Sequence, residues 1–212
     1  MIRAYNELYL SDARKRLANS YDYAVHTLGY TIEDYHMMFI KTGIAEKFGH
    51  GNVLILSGIS GIELTQRVVE AYTGACKFVD RIYSSGKSPE YWVGWALAYY
   101  QWYSACPFDI LQSEVPVSSI LLMYDKYHEM DIMHFVDRMD HIRQQNRLLS
   151  YLRLYREKSG LSQSELAKIT NIPVRTIQQY EQKQKSINHA RAEYVLSLAN
   201  ALNVEPVRLM ES

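Results

Sequence analysis

From Ser11 onward, apolar and small residues recur at helical spacing. Ala13, Leu17, Ser20, Tyr21, Ala24 and Leu28 fall on one stripe, which predicts a helix over 12–28 with Ser11 as its cap and Gly29 as its stop. Thr31 and Asp34 frame the start of a second helix that runs into Tyr35-His36-Met37-Met38-Phe39-Ile40. Gly43 and Gly49-His50-Gly51 punctuate the next stretch of chain. Val53-Leu54-Ile55-Leu56 is apolar enough for a strand but has no partner run, so it reads as a loop or an isolated extended piece. Ser60-Gly61-Ile62-Glu63 has capping-box spacing and opens a helix to about Tyr72. Ser88-Pro89-Glu90 opens an aromatic helix carrying Tyr91, Trp92, Trp95, Tyr99, Tyr100, Trp102 and Tyr103. Pro107 and Pro116 bound an expected loop, Ser118 or Ser119 starts a helix through Tyr127, and Asp131 caps the next, which runs toward Arg143. The polar stretch 140–146 contains no glycine or proline, so it predicts a stiff or hinged helical connector. The pattern predicts an all-α chain: a helical domain over 1–137, a helical connector over 138–146 and a five-helix domain over 147–212.

In that last domain Leu148, Leu149, Leu152 and Tyr155 are spaced to face a core. Ser162-Gln163-Ser164-Glu165 again has capping-box spacing and opens a second helix. A third runs from Val174 to about Gln182, a fourth over 189–202 with Tyr194, Val195, Leu198 and Leu202 on one side, and a short fifth ends at Met210. The second and third form a tight pair. Ala167 is small enough for a close crossing, and Asn171 tolerates the positive φ that a short turn demands. Leu166, Ile172, Ile177 and Tyr180 supply apolar anchors. At about 100° per residue, a core-facing Ile177 puts Arg175 and Gln179 nearly opposite, with Val174, Thr176 and Gln178 on the flanks. Arginine suits guanine O6 and N7, and glutamine suits adenine N6 and N7, so this face fits a major-groove reader. Gln163 at the start of the second helix is placed for a phosphate, and Lys183 and Lys185 come just after the third helix, where they can hold the DNA backbone. Glu181 lies near the inward side, placed to pair locally.

These residues carry a resemblance. Leu161-Ser162-Gln163-Ser164-Glu165-Leu166-Ala167, the turn at Asn171-Ile172 and Thr176-Ile177-Gln178-Gln179-Tyr180-Glu181 resemble the Cro/CI phage-repressor family, also called the XRE family, as does the tail Leu198 to Val204. The resemblance implies a lambda-repressor-like DNA-binding domain in which Gln163, Val174, Arg175, Thr176 and Gln179 meet DNA. Asn171 stands where that family commonly has Gly, Pro173 where it has a Ser/Thr-type cap, and Lys183 where Gly often closes the recognition helix. More weakly, residues 81–103 resemble N-terminal domains of bacterial regulators from small operons that look like toxin–antitoxin modules. That implies an autoregulating antitoxin whose N-terminal domain holds a protein partner such as a toxin.

Composition changes the picture in one respect. The formal net charge is zero, but from Arg138 onward twelve Lys and Arg stand against seven Asp and Glu, +5, which leaves −5 for residues 1–137. The basic part can face phosphate and the acidic part has another task. Hydrophobic content of 48% suits a soluble fold with a real core. The start lacks the apolar stretch of a signal peptide and no run is long enough for a bilayer, so a cytoplasmic protein with reduced Cys76 and Cys106 is expected, with no membrane partner.

Other chemistry is sparse. His134, Asp137 and His141 share a helix face at i, i+3 and i+7, which fits a metal edge or a solvated surface. Gly49-His50-Gly51-Asn52 and Gly58-Ile59-Ser60-Gly61 lack phosphate-loop spacing and read as turns. No acid–base or nucleophile constellation stands out, so no enzyme, cofactor or metal is expected. Two functions remain in view: a repressor that is an antitoxin, and a one-component regulator whose N-terminal domain senses a small molecule in an aromatic pocket. Either is expected to be a homodimer on double-stranded DNA with a palindromic operator.

Overall fold

A computed structural model describes residues 3–75, 79–82, 86–146 and 150–211. Among these residues every regular element is helical. The chain divides into two compact units, 1–143 and 144–212.

The first unit is built on α1 (Leu10–His26), which packs against α4 (Gly61–Thr73) and α5 (Pro89–Ser104). Two glycines make these crossings close. A Cβ on Gly61 would lie 2.7 Å from the Arg16 carbonyl oxygen, and one on Gly94 would lie 2.6 Å from that of Leu17. Around this frame stand α2 (Ile32–Lys41), α3 (Ile44–Gly49), α6 (Phe108–Glu114), α7 (Val117–Leu121), α8 (Tyr124–Tyr127) and α9 (Ile132–Asn146), the division between units falling inside α9. The stripe on α1 is core from Ala13 to Ala24, while Leu28 lies past the helix and is half-buried. α5 is buried nearly all round through Trp92, Tyr100 and Trp102, as a helix this apolar must be. Phe39, Phe48 and Phe108 meet edge to face, with centroids 5.2–6.0 Å apart.

Four helix starts in this unit use the expected caps. The hydroxyls of Thr31, Ser60 and Ser88 accept from the amides of Asp34, Glu63 and Tyr91, and Asp131 accepts from Met133. Four expectations are corrected. Ser11 does not cap α1, because Asn6 caps a 3₁₀ turn (Glu7–Tyr9) that runs straight into it. Residues 53–56 are not extended. An isolated strand cannot pair its backbone, and this segment instead coils into a π-helical turn (Leu54–Gly58) that buries Ile55 and Leu56 beside α1. Pro107 and Pro116 do not bound a loop. Each stands at a helix start, where a missing N–H costs nothing, and the first of these helices buries Phe108, Ile110 and Leu111. Consequently α7 starts at Val117 rather than at Ser118 or Ser119, and a turn at Leu122-Met123 separates it from α8.

Polar groups in this core are mostly paired. Ser20, Tyr35 and Thr65 share a buried hydroxyl cluster, and Tyr21 bonds the buried His36 ring. Arg143 on α9 is buried against the Glu114 carboxylate and donates to the Tyr100 hydroxyl at 2.9 Å. The three donors and acceptors come from α5, α6 and α9, so the pair ties three helices together.

The second unit contains α10 (Tyr151–Lys158), α11 (Gln163–Thr170), α12 (Val174–Glu181) and α13 (Ala192–Leu202), and closes with a 3₁₀ turn (Pro206–Leu209). α13 starts later than the expected residue 189, because a 3₁₀ turn (Ile187–His189) and an extended Ala190 intervene. Leu152, Tyr155, Leu166, Ile177, Leu198 and Leu209 form the core, and the expected anchors Leu148 and Leu149 lie outside the described residues, as does Cys76. Cys106 is buried beside Arg143. Among the described residues no helix is long and apolar enough to cross a membrane.

Candidate nucleic-acid interface

α11 begins with a complete capping box. Ser162 accepts from the Glu165 amide, and the Glu165 carboxylate accepts from the Ser162 amide at 2.7 Å. These hydrogen bonds, the side-chain one first, hold the Glu165 carboxyl below its ordinary range. The helix ends at Asn171, whose φ of 55° and ψ of 30° are left-handed, the conformation a tight turn into α12 needs. Ala167 is buried at this junction, and Leu166, Ile172, Ile177 and Tyr180 are all core. Pro173 opens α12 in the extended conformation, and its ring replaces an amide that would have been unpaired.

The outer face of α12 is set by that anchoring. Ile177 is fully buried, Arg175 is exposed, and Val174, Thr176, Gln178 and Gln179 are half-buried. The helix closes at Lys183, which has a positive φ of 56° and whose amide donates to the Tyr180 carbonyl. The Lys185 amide donates to the Gln179 carbonyl at 3.1 Å. Both lysine side chains are exposed.

A buried polar network sits behind this face. The Arg156 guanidinium on α10 donates twice to Glu181, at 2.6 and 2.9 Å, and once to the Leu161 carbonyl at 2.8 Å. The side chains of Arg156 and Glu181 are 9% and 1% exposed, so the pair is desolvated and bidentate. The hydrogen bond to Glu181 raises the Arg156 pKa further above its ordinary value. Gln163 donates to the second Glu181 oxygen at 2.7 Å and accepts from Gln178 at 3.3 Å. Gln163 is therefore not a loose side chain at a helix start. Its amide is held by α12 and oriented before any ligand arrives. The inward position of Glu181 was legible from helical angle. Its partner Arg156 was not, since nothing in the spacing of residues 25 apart points to a pair.

Residues 152–209 match a helix-turn-helix family model. This segment is an XRE-type helix-turn-helix domain. Such a domain marks a DNA-binding transcription regulator, and within it α11 and α12 are the paired helices. No curated protein and no solved structure matches the chain. In the first unit, His134, Asp137 and His141 line one open cleft of about 570 Å³ with Lys126, Tyr127 and Arg138. Among the described residues no three His, Cys, Asp or Glu side chains are grouped to hold a metal ion.

Proposed function

We propose that the protein is a sequence-specific repressor that reads double-stranded DNA with α12 in the major groove. The observation that carries this reading is the oriented face of α12, with Arg175 outermost and the Gln163–Gln178 pair fixed by buried Glu181. Arg175, Gln178 and Gln179 read base edges, Val174 and Thr176 give apolar and hydroxyl contacts, and Gln163, Lys183 and Lys185 hold phosphates. One such helix spans few base pairs, so the working form is a cytoplasmic homodimer on a palindromic operator with half-sites about one helical turn apart. Footprinting on the upstream region of its own operon tests this: two protected, inverted half-sites are expected, and a single unrepeated site would overturn the dimer.

The acidic first unit then governs that activity by holding a protein partner, as the antitoxin of a toxin–antitoxin module does. Charge supports this division, because residues 1–137 carry −5, which repels DNA and suits another ligand. Co-purification of the full chain with the product of its neighbouring gene, and toxicity of that product alone, are the expected results. A second reading has its own observation. Arg14 lines a cleft, and among the described residues its Nε and Nη2 atoms have no hydrogen-bond partner, which fits a one-component regulator that senses a small molecule.

A further inference from the structure

The side chain of Arg14 is placed against protein on its faces and left without acceptors at its edges. Its Cζ lies 3.3 Å from the centroid of the Trp95 ring and 4.7 Å from that of Tyr99. Its Nε and Nη2 atoms are shielded from solvent and have no hydrogen-bond partner among the described residues, and the same holds for the buried hydroxyl of Tyr5. Burial lowers the Arg14 pKa to about 10, against the opposing pull of Tyr99 and Tyr5, while burial raises that of Tyr5. So the guanidinium stays charged and the phenol stays protonated at neutral pH. Buried donors of this kind are nearly always paired, because leaving them unmet costs free energy. Arg14 also lines a cleft of about 350 Å³ with Glu7, Leu10, Ser11, Lys15 and Trp95, a volume in the range of small-molecule sites.

We propose that this cleft binds a small organic anion, whose carboxylate or phosphate oxygens accept from Arg14 and whose body lies on Leu10 and Trp95. The donor set dictates the class. A guanidinium can only donate, so the ligand must bring acceptors and negative charge. Lys15, exposed at the mouth, adds attraction. Glu7 at the mouth and the net −5 of residues 1–137 disfavour a polyanion, which confines the site to ligands of low charge. The Trp95 face explains why an arginine rather than a lysine stands here, since a planar cation packs on an aromatic ring and still carries in-plane donors for a fork of oxygens. The site rests on and deepens the small-molecule reading, and binding and DNA response are measured separately so that each can fail alone.

The test uses the full chain and two probes, sodium butyrate and inorganic phosphate, each against sodium chloride at equal ionic strength. All three tryptophans, Trp92, Trp95 and Trp102, lie in the first unit, so their fluorescence tracks its melting and its occupancy. A saturable rise in that transition is expected with at least one probe. Butyrate alone identifies a carboxylate site, and phosphate alone a phosphate site. Arg14→Met, which keeps the stem and removes the donors, should abolish the response, and Arg14→Lys should weaken it about tenfold. Absence of any response beyond chloride at 50 mM, or an undiminished one in Arg14→Met, overturns the site. If Arg14→Met does not fold, Lys15→Met at the exposed mouth decides: an apparent affinity about threefold weaker supports the site and an unchanged one overturns it. If the anion binds but operator affinity does not move, the site stands and the sensor reading falls.

Discussion

A buried arginine in the second unit and a half-buried one in the first are handled in opposite ways. In the second unit each of the three Arg156 guanidinium nitrogens donates to Glu181 or Leu161, and Glu181 in turn fixes Gln163. In the first unit Arg14 has two aromatic neighbours and, among the described residues, no acceptor on Nε or Nη2. Arg143 shows that the first unit can pair a buried arginine when architecture requires it, since Glu114 meets it within the same core. The difference therefore separates two uses of one side chain. A satisfied guanidinium sets the geometry of a surface, whereas an unsatisfied one waits for something supplied from outside.

The sharpest way to break the comparison is to unpair Arg156. Glu181→Leu leaves a buried cation without its anion, and the expected cost is about 3–5 kcal/mol. Because the helix-turn-helix domain has no tryptophan, its loss should appear in far-ultraviolet circular dichroism while the tryptophan-detected transition of the first unit stays in place. The double variant Arg156→Met/Glu181→Leu removes both charges and should recover most of that loss. If Glu181→Leu is neutral, the pair does not organise the domain.

The first unit is expected to respond to pH through a buried histidine. His36 is buried against Tyr21 and Phe108, and burial lowers its pKa from 6.5 to about 3. Between those values the unfolded chain binds a proton that the folded chain refuses. Stability contributed by the neutral ring is thus complete above about pH 6.5 and is lost as pH falls toward 3, by up to about 1.4 kcal/mol per pH unit. Urea midpoints tracked by tryptophan fluorescence should slide downward across this window, and His36→Gln should flatten the slope. An equal slope in the variant would assign the effect to other groups.

Local signals were the ones legible in sequence. Ser60, Ser88, Thr31 and Ser162 cap helices because each bonds an amide three residues on, well inside any reading window. Asn171 was legible for the same reason, as the one residue in its turn suited to a left-handed backbone. Prolines misled, since the same missing N–H that ends one helix starts another, and only the burial of Phe108 and Ile110 decides between them. Residues 53–56 misled because apolar runs of that length do not reveal their period. The polar networks were out of reach altogether. Arg156 finds Glu181 through the packing of α10 on α12, and Arg14 finds Trp95 through the crossing of α1 and α5 at Gly94. Such contacts arise from tertiary geometry, and no spacing in the chain encodes them.

At the outer face of α12 the expected effects are smaller and concern DNA. On the proposed reading Arg175 makes a bidentate guanine contact, so Arg175→Ala should cost about 1–3 kcal/mol on the cognate operator and relax the preference at one base position. Binding to a set of operators altered one base pair at a time measures this. A uniform loss across the set would make Arg175 a phosphate contact instead, and would move base reading to Gln178 and Gln179.

Lys183 allows the finest cut, because its backbone and its side chain are expected to pull in opposite directions. A φ of 56° is unfavourable for any residue with a Cβ, and glycine takes it without that penalty. Glycine also gives the unfolded chain more freedom, which offsets part of the gain. Lys183→Gly should therefore stabilise the helix-turn-helix domain by at most about 1 kcal/mol, a rise of a few degrees in its melting temperature. On the proposed reading the same substitution removes a phosphate contact, so operator affinity should fall and the slope of log affinity against log salt should shrink by about one. A domain that melts higher and binds more weakly would show that the lysine is kept for DNA at a cost to the fold. If stability rises and the salt slope is unchanged, the ammonium does not reach phosphate, and Lys185 with Gln163 must hold the backbone without it.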